Sequence, residues 1–126
     1  MPDEILILRE RISPADLRRL VGAPFGDMVK FVADVEQRVI AIGGQMHADA
    51  EHLLLDEGSA QSDLWGGNYY PGRGPERCVE YTSFINIRPA AGNRGMELMD
   101  PELRAVILAM VVEWVGSGEA LDDATA

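Results

Sequence analysis

The segment from residue 43 to residue 67 gathers most of the side chains that could do chemistry. It reads GGQMHADAEHLLLDEGSAQSDLWGG and holds both histidines and five acidic residues, with no lysine or arginine. If residues 46–52 are extended, His47, Asp49 and Glu51 point to one side, because side chains alternate along a strand. Nitrogen and oxygen ligands of this kind could hold zinc or a related ion. A strand with one solvent-facing side shows the same alternation, so we assign no metal.

The same three residues could instead perform acid–base catalysis. A catalytic histidine needs a carboxylate that orients its ring and a pKa near the working pH. His47 with Asp49 or Glu51 could meet both needs, which would make the protein a small hydrolase or another acid–base enzyme, possibly assisted by a metal. No recognised nucleophile or phosphate-binding motif accompanies them, and no cofactor motif is present. Whether the protein is an enzyme therefore stays open at this point.

Two arginines further along the chain could bind an anion. Arg88 precedes a proline, which favours extended backbone, and Arg94 follows in the glycine-flanked sequence GNRG. With Asn86 and Asn93 they could hold a carboxylate or phosphate, and Trp65, Tyr69 or Tyr70 could supply an apolar wall. The alternative is that the arginines pair with the acidic residues upstream and hold the loops together.

Charge is distributed unevenly along the chain. The formal net charge is −10, which disfavours nucleic acid as a partner because phosphates would be repelled. Residues 45–64 carry five acidic residues and no basic ones, whereas residues 71–94 carry four arginines against two glutamates. We expect these two segments to meet, with Arg88 near the acids. Ordinary solvation of each segment is the alternative.

The elements that must position these residues begin with a strand and a short helix. The β-branched and aliphatic run at residues 5–8 is too short for a helix and predicts a strand. Ser13 followed by Pro14 is typical of a helix start, with serine as the N-cap and proline at the first helical position. This helix is predicted to end near Gly22.

The next segment, residues 27–42, is predicted to be an amphipathic helix closed by Gly43. Its apolar residues recur at spacings of four and three and so fall on one stripe. These residues are Met28, Val32, Val35, Val39 and Ile42.

Three strands are predicted to follow, over residues 46–55, 64–70 and 79–88. The last of them would place Asn86 and Arg88 on one face. Two adjacent glycines, Gly66 and Gly67, indicate either a bulge or a place where another group approaches the backbone closely.

The chain is predicted to end in a capped helix and a polar tail. Asp100 before Pro101 predicts the helix start, and an apolar stripe follows at Leu103, Val106, Ile107, Met110, Val111 and Trp114. The order β-α-α-β-β-β-α predicts one α+β domain over residues 1–116, with helices packed on an antiparallel or mixed sheet. Residues 117–126 are acidic and lack apolar periodicity, which predicts a disordered tail.

Several short stretches together resemble a small prokaryotic domain family of unknown function. They are GDMVK (26–30), AIGG (41–44), HAD (47–49), LLLDEGS (53–59), DLWG (63–66), NIRP (86–89) and GNRG (92–95). The resemblance covers about residues 5–115 and implies one domain. Because no activity is attached to that family, it implies no role for any residue.

Composition also limits where the protein can be located and which functional class it can belong to. No apolar run approaches the roughly 18 residues that span a bilayer, and the N-terminal residues are acidic where a signal peptide needs basic ones. The single cysteine, Cys78, is in keeping with a reducing compartment, so we expect a cytoplasmic protein that binds no membrane. Our leading hypothesis is a small soluble binding module for a partner protein or small polar ligand, using the strand face and the loop 92–95. Self-association through a sheet edge or the segment 106–115 is a further hypothesis.

Overall fold

The described part of the chain folds into one antiparallel sheet with three helices packed on it. The computed structural model describes residues 4–22 and 25–121. Along this part the elements are β1 (Ile5–Leu8), α1 (Pro14–Gly22), β2 (Val29–Asp34), β3 (Val39–Gly43), α2 (His47–Asp56), β4 (Leu64–Tyr69), β5 (Val79–Glu80) and α3 (Pro101–Trp114). The predicted α+β class and single domain are confirmed, and the order of elements is close to the predicted one.

The strands lie in the order β1-β3-β2-β4-β5, and every neighbouring pair is antiparallel. One face of the sheet packs against α1 and α3 around Phe31, Ile42 and Tyr69. The other face packs against α2 around Val32 and Leu64. The three middle strands are therefore buried on both faces, and α2 has one side of the sheet to itself. Among the described residues, no helix is long and apolar enough to cross a membrane.

Both predicted helix starts are confirmed by their capping bonds. The backbone N–H of Asp16 donates to Oγ of Ser13 at 3.1 Å. Oδ1 of Asp100 accepts from the N–H of Glu102 at 2.9 Å. These side chains satisfy amide groups that a helix leaves without partners at its N-terminus. The apolar stripe of α3 packs against the core as predicted.

The predicted helix over residues 27–42 is wrong, because this segment forms the β2–β3 hairpin. The runs 31–34 and 40–43 are continuously buried, as expected of strands covered on both faces. The spacing of apolar residues along the two strands thus resembles that of a helical stripe, although these residues do not lie on a helix. Asp34 shapes the turn, since its Oδ1 accepts from the N–H groups of Glu36 and Gln37 at 2.9 and 2.8 Å.

The predicted strand over residues 46–55 is also wrong, because α2 occupies it. The helix buries His47, Ala50 and Leu54, which recur at spacings of three and four. Asp49 is therefore exposed and does not share a face with His47 and Glu51.

Of the other two predicted strands, residues 64–70 correspond to β4, whereas residues 79–88 form only the two-residue strand β5. A 3-10 turn, Phe84–Asn86, lies within the rest of that predicted strand, and a second, Pro89–Ala91, follows it.

The predicted tail is described as far as Leu121, and residues 122–126 lie outside the described residues. The N–H of Gly118 donates to Oη of Tyr69 at 2.9 Å, and its carbonyl accepts from Gly72 and Gly74 at 3.0 Å. Leu121 packs against the core. The first part of this segment is thus attached to the domain.

Candidate functional site

The acidic and arginine segments meet at Arg88, as predicted, and the acid is Glu51 of α2. Nη2 of Arg88 lies 3.7 Å from Oε2 of Glu51 and donates to the carbonyl oxygen of Leu64. The guanidinium lies 4.4 Å from the centre of the Trp65 ring. The two charged side chains are only 15% and 13% exposed. This contact joins α2 to the loop that follows β5.

The pair is buried and incompletely hydrogen-bonded. Burial lowers the pKa of Arg88 below its ordinary value, and the carboxylates of Glu51 and Asp63 oppose that shift. Nη1 of Arg88 and Oε2 of Glu51 are both buried without a hydrogen-bond partner in the described part of the chain. Each charge therefore depends on the other for compensation.

Asn86 and Asn93 use their amide groups to hold the backbone. Oδ1 of Asn86 accepts from the N–H of Gly66 at 2.8 Å, and its Nδ2 donates to the Gly66 carbonyl at 2.9 Å. Asn93 donates to the carbonyl of Asn86 at 2.9 Å and accepts from the N–H of Met99 at 3.0 Å. Both residues are buried. They organise the loops between β5 and α3.

The other predicted ligand-binding residues are dispersed. Asp49 and Arg94 are exposed and make no ion pair within residues 4–22 and 25–121. Trp65 is buried beneath Arg88. Of the eight candidates, His47, Glu51, Trp65, Asn86 and Arg88 thus converge on β4, whereas Asp49, Asn93 and Arg94 lie outside that group. A ligand-binding role for the set stays a prediction.

His47 is the first residue of α2 and is only 7% exposed. Its Nε2 lies 2.7 Å from the carbonyl oxygen of Gly67. A carbonyl oxygen can only accept, so Nε2 carries the hydrogen. Burial lowers the pKa of His47 to about 4, against a smaller opposing effect of this hydrogen bond. The ring is therefore neutral at neutral pH, and Nδ1 carries no hydrogen.

The two glycines of β4 make room for this packing. A Cβ on Gly66 would lie 3.1 Å from Cδ2 of His47 and 2.7 Å from Cβ of Ser83. A Cβ on Gly67 would lie 2.6 Å from the ring of Phe31 on the opposite face. The predicted close approach at these glycines is confirmed.

The neutral state of His47 should make the protein sensitive to mild acid. Since the pKa falls from 6.5 to about 4 on folding, the unfolded chain takes up a proton before the folded one. This contribution to stability is complete above pH 6.5 and is lost as the pH falls towards 4. We expect the unfolding free energy to fall by about 2 kcal/mol between roughly pH 7.5 and 5, at about 1.4 kcal/mol per pH unit. Urea unfolding across that pH range measures the unfolding free energy. If the unfolding free energy of a His47→Gln variant fell with pH as steeply as that of the wild-type protein, the prediction would be contradicted.

Neither the metal nor the catalytic arrangement is assembled around His47. Within the described residues, no group of three or more histidine, cysteine, aspartate or glutamate side chains could hold a metal ion. Nε2 of His47 donates to the backbone carbonyl of Gly67 and not to a carboxylate. The cause is the helix, which turns Asp49 away from the ring.

An exposed apolar surface lies beside His47. Phe84 is 77% exposed, and Met46 and Ile87 near it are 59% and 42% exposed. We call these three residues the Phe84 patch. The sequence contains one indication of this patch: Phe84 is the apolar residue on an otherwise polar face of the predicted strand 79–88.

Two clefts flank Phe84. The outer cleft has a volume of about 630 Å³, and its lining includes Gln61, Ser62, Ile87 and Arg88. The other, which we call the His47 cleft, has a volume of about 200 Å³. Its lining includes Lys30, Met46, His47, Ala48, Ser83 and Ile85. Phe84 lines both clefts and thus stands between them.

One family model, described as "Protein of unknown function (DUF5674)", matches residues 6–114. The match runs from β1 to the last turn of α3 and includes every residue that converges on β4. It confirms the resemblance to a small domain family of unknown function. No curated protein and no solved structure matches the chain.

Proposed function

Because this chain belongs to the DUF5674 family, whose function is unknown, we propose its function from geometry: it is a binding module for an apolar segment of a partner protein. The observation that carries the proposal is the 77% exposure of Phe84. Leaving such a side chain in water forgoes about 1.5–3 kcal/mol of burial free energy. The lone Cys78 suits a reducing compartment, so the proposal includes a cytoplasmic location.

The exposure of Phe84 is part of a continuous surface. Single exposed apolar residues are ordinary, whereas contiguous ones mark interaction sites. Met46 lines the His47 cleft with Phe84, and Ile87 lines the outer cleft with it. Phe84 thus shares each of its two clefts with one of the other exposed side chains, so two residues of a partner can contact the patch at once.

The backbone that carries Phe84 is held on both sides. Its neighbour Ser83 is buried, and Oγ of Ser83 accepts from the N–H of Ile85 at 3.2 Å. On the other side Asn86 is buried and bonded to Gly66. A backbone that is already ordered loses little freedom on binding, which favours the use of Phe84 as an anchor.

A protein partner fits this surface better than a small polar ligand does. The polar atoms of Asn86 and Asn93 are engaged in the backbone, and Arg88 is compensated by Glu51. What faces outward is mostly apolar, which suits burial of leucine- or phenylalanine-like side chains.

We expect the Phe84→Ser variant to lose binding without losing stability. Peptides selected from random displayed libraries on the wild-type protein should bind the variant about 30-fold more weakly, since anchor residues contribute about 2 kcal/mol or more. Affinities can be measured by fluorescence polarisation. Thermal unfolding should be unchanged to within a degree or two, as is usual for exposed positions.

The matched control is Val112→Ser, because Val112 is 41% exposed on α3, outside the lining of both clefts. It should leave peptide affinity unchanged. Libraries that yield no binders, or binders that ignore the Phe84 substitution, would exclude the proposal.

A further inference from the structure

We propose that a cavity between α1 and the chain that follows α3 binds a small organic acid, that is, a carboxylate on an apolar body. We call it the tail cavity. Its volume is about 270 Å³, and its lining includes Ile12, Leu17, Tyr69, Val115 and Leu121. These residues belong to the core on the α1 and α3 side of the sheet, whereas α2 and the His47 cleft lie on the other side. The organic acid would thus be a second ligand, beyond the partner protein of the proposed function.

The walls of the tail cavity are mostly aliphatic. Ile12, Leu17 and Val115 are buried, and Leu121 packs against the same core from the tail. Such walls favour the apolar part of a ligand, because contact with them removes apolar surface from water. The cavity has room for about nine groups of the size of a water molecule, at roughly 30 Å³ each. The ligand is therefore small.

The hydroxyl of Tyr69 provides a buried donor without an acceptor. Tyr69 is 1% exposed, and its Oη accepts from the N–H of Gly118 at 2.9 Å. The hydroxyl hydrogen itself has no acceptor among the residues that the structure describes. Burial raises the pKa of Tyr69, so the hydroxyl keeps this hydrogen at neutral pH. A buried donor in this state calls for an acceptor from a ligand.

The hydroxyl is the end of Tyr69 that lies at the tail cavity. A Cβ on Gly116 would lie 2.5 Å from Oη, and Gly118 donates to the same atom. Gly116 directly follows Val115, and Gly118 directly precedes Glu119, and both of these neighbours line the cavity. The donor thus faces the space between the tail and α1.

Two arginines add positive charge to the lining of the tail cavity. They are Arg11 and Arg18. Nη1 of Arg11 donates to the carbonyls of Val112 and Glu113 at 3.0 and 3.4 Å, whereas its Nε and Nη2 make no hydrogen bond within the described part of the chain. Arg11 is also near enough to Tyr69 to oppose, as a minor effect, the rise that burial causes in its pKa. Arginine N–H groups beside a hydroxyl donor suit a carboxylate.

Glu119 also lines the tail cavity and opposes an anion. Its Oε1 accepts from the N–H of Ser117 at 2.9 Å, and this bond lowers the pKa of Glu119. The carboxylate is therefore partly compensated by the backbone of the tail. The two arginines still leave the lining positive in a protein whose formal net charge is −10. An acid fits this lining better than an amine does.

The test uses octanoate and octanamide, which share an apolar chain and a carbonyl oxygen and differ in charge. Titrated into the ¹⁵N-labelled full chain, octanoate should shift the amide resonance of Gly118 in a saturable way, because this N–H contacts Tyr69. Octanamide should bind at least about tenfold more weakly, since it lacks the charge that arginine recognises. Acetate should also bind more weakly, since it lacks the apolar body.

Two variants assign the binding to the tail cavity. Tyr69→Phe keeps the ring and removes the donor, so octanoate should bind about tenfold more weakly. Its matched control is Tyr70→Phe, which removes a hydroxyl outside the cavity lining and should leave the affinity unchanged. Arg11→Gln should weaken octanoate several-fold and leave octanamide unaffected. It also decides the question if Tyr69→Phe does not fold, which thermal unfolding shows.

Three results would overturn the inference. The first is the absence of a saturable shift at Gly118 with octanoate up to about 1 mM. The second is equal binding of octanoate and octanamide, which would show that the carboxylate is not recognised. The third is an octanoate affinity that neither Tyr69→Phe nor Arg11→Gln changes, which would place the ligand elsewhere. Each of these results leaves the Phe84-dependent binding of peptides as it is.

Discussion

Replacing Asn86 with alanine is expected to lower the unfolding free energy by about 3–5 kcal/mol, because each buried polar group left without a partner costs about 1–3 kcal/mol. The side chain satisfies both the N–H and the carbonyl of Gly66 and also reaches the carbonyls of Tyr81 and Met96. The total free energy of unfolding of a domain of this size is about 5–15 kcal/mol. Urea unfolding followed by tryptophan fluorescence measures the loss.

Asn68 is the matched control for Asn86. It is also a buried asparagine facing β5, but the hydrogen bond that its Nδ2 donates to Oε1 of Glu80 is 3.4 Å long. Alanine at this position should cost no more than about 1 kcal/mol. Similar losses for the two variants would mean that the Asn86 bonds do not hold the loop to β4.

The second large effect is expected at Arg88. Methionine at this position keeps much of the volume and removes the charge, which leaves the Glu51 carboxylate buried without a cation. Breaking a buried pair in this way costs about 3–5 kcal/mol, and slight exposure reduces the expected loss to about 2–4 kcal/mol. Urea unfolding of the Arg88→Met variant gives the value.

The double variant separates charge from packing. With Glu51→Met added, no uncompensated charge remains, so most of the lost stability should return. Arg94→Met removes an exposed arginine that makes no ion pair in the described part of the chain, and it should change stability by less than about 0.5 kcal/mol. A double variant no more stable than Arg88→Met would exclude the ion pair as the cause.

The starts of α1 and α3 could be predicted from the sequence because the capping interactions that define them are local. Ser13 and Asp100 cap their own helices within three residues. The apolar stripe of α3 likewise reflects a helix with one covered side. Such signals need no knowledge of what packs against them.

The β2–β3 hairpin could not be separated from a helix by periodicity. Both strands are central in the sheet, so their side chains are apolar on both faces and no alternation survives. Val32 and Ile42 therefore matched a helical stripe by coincidence. The informative residue is Asp34, whose role as a turn residue becomes visible only once the hairpin is known.

Helix α2 was misread for the opposite reason. His47, Asp49 and Glu51 alternate with small residues, as polar residues of an exposed strand would. The helical spacing of Ala50 and Leu54, and the good helix-forming residues around them, support the correct assignment. Without knowledge of the helix, the sequence predicts that Arg88 meets the acidic segment at Asp49 or Glu51, but it does not decide between the two acids.

One consequence of the Asn86 and Arg88 contacts concerns aggregation. An open strand edge presents free N–H and C=O groups on which another chain can add a strand. Along the outer edge of β4, Asn86 occupies both groups of Gly66, and Arg88 occupies the carbonyl of Leu64. At these three groups, side chains take the place of a neighbouring strand and block pairing with an incoming chain. Loss of Asn86 should therefore release a template for intermolecular strand addition, and the alanine variant should form cross-β aggregates at concentrations where the parent protein stays dispersed.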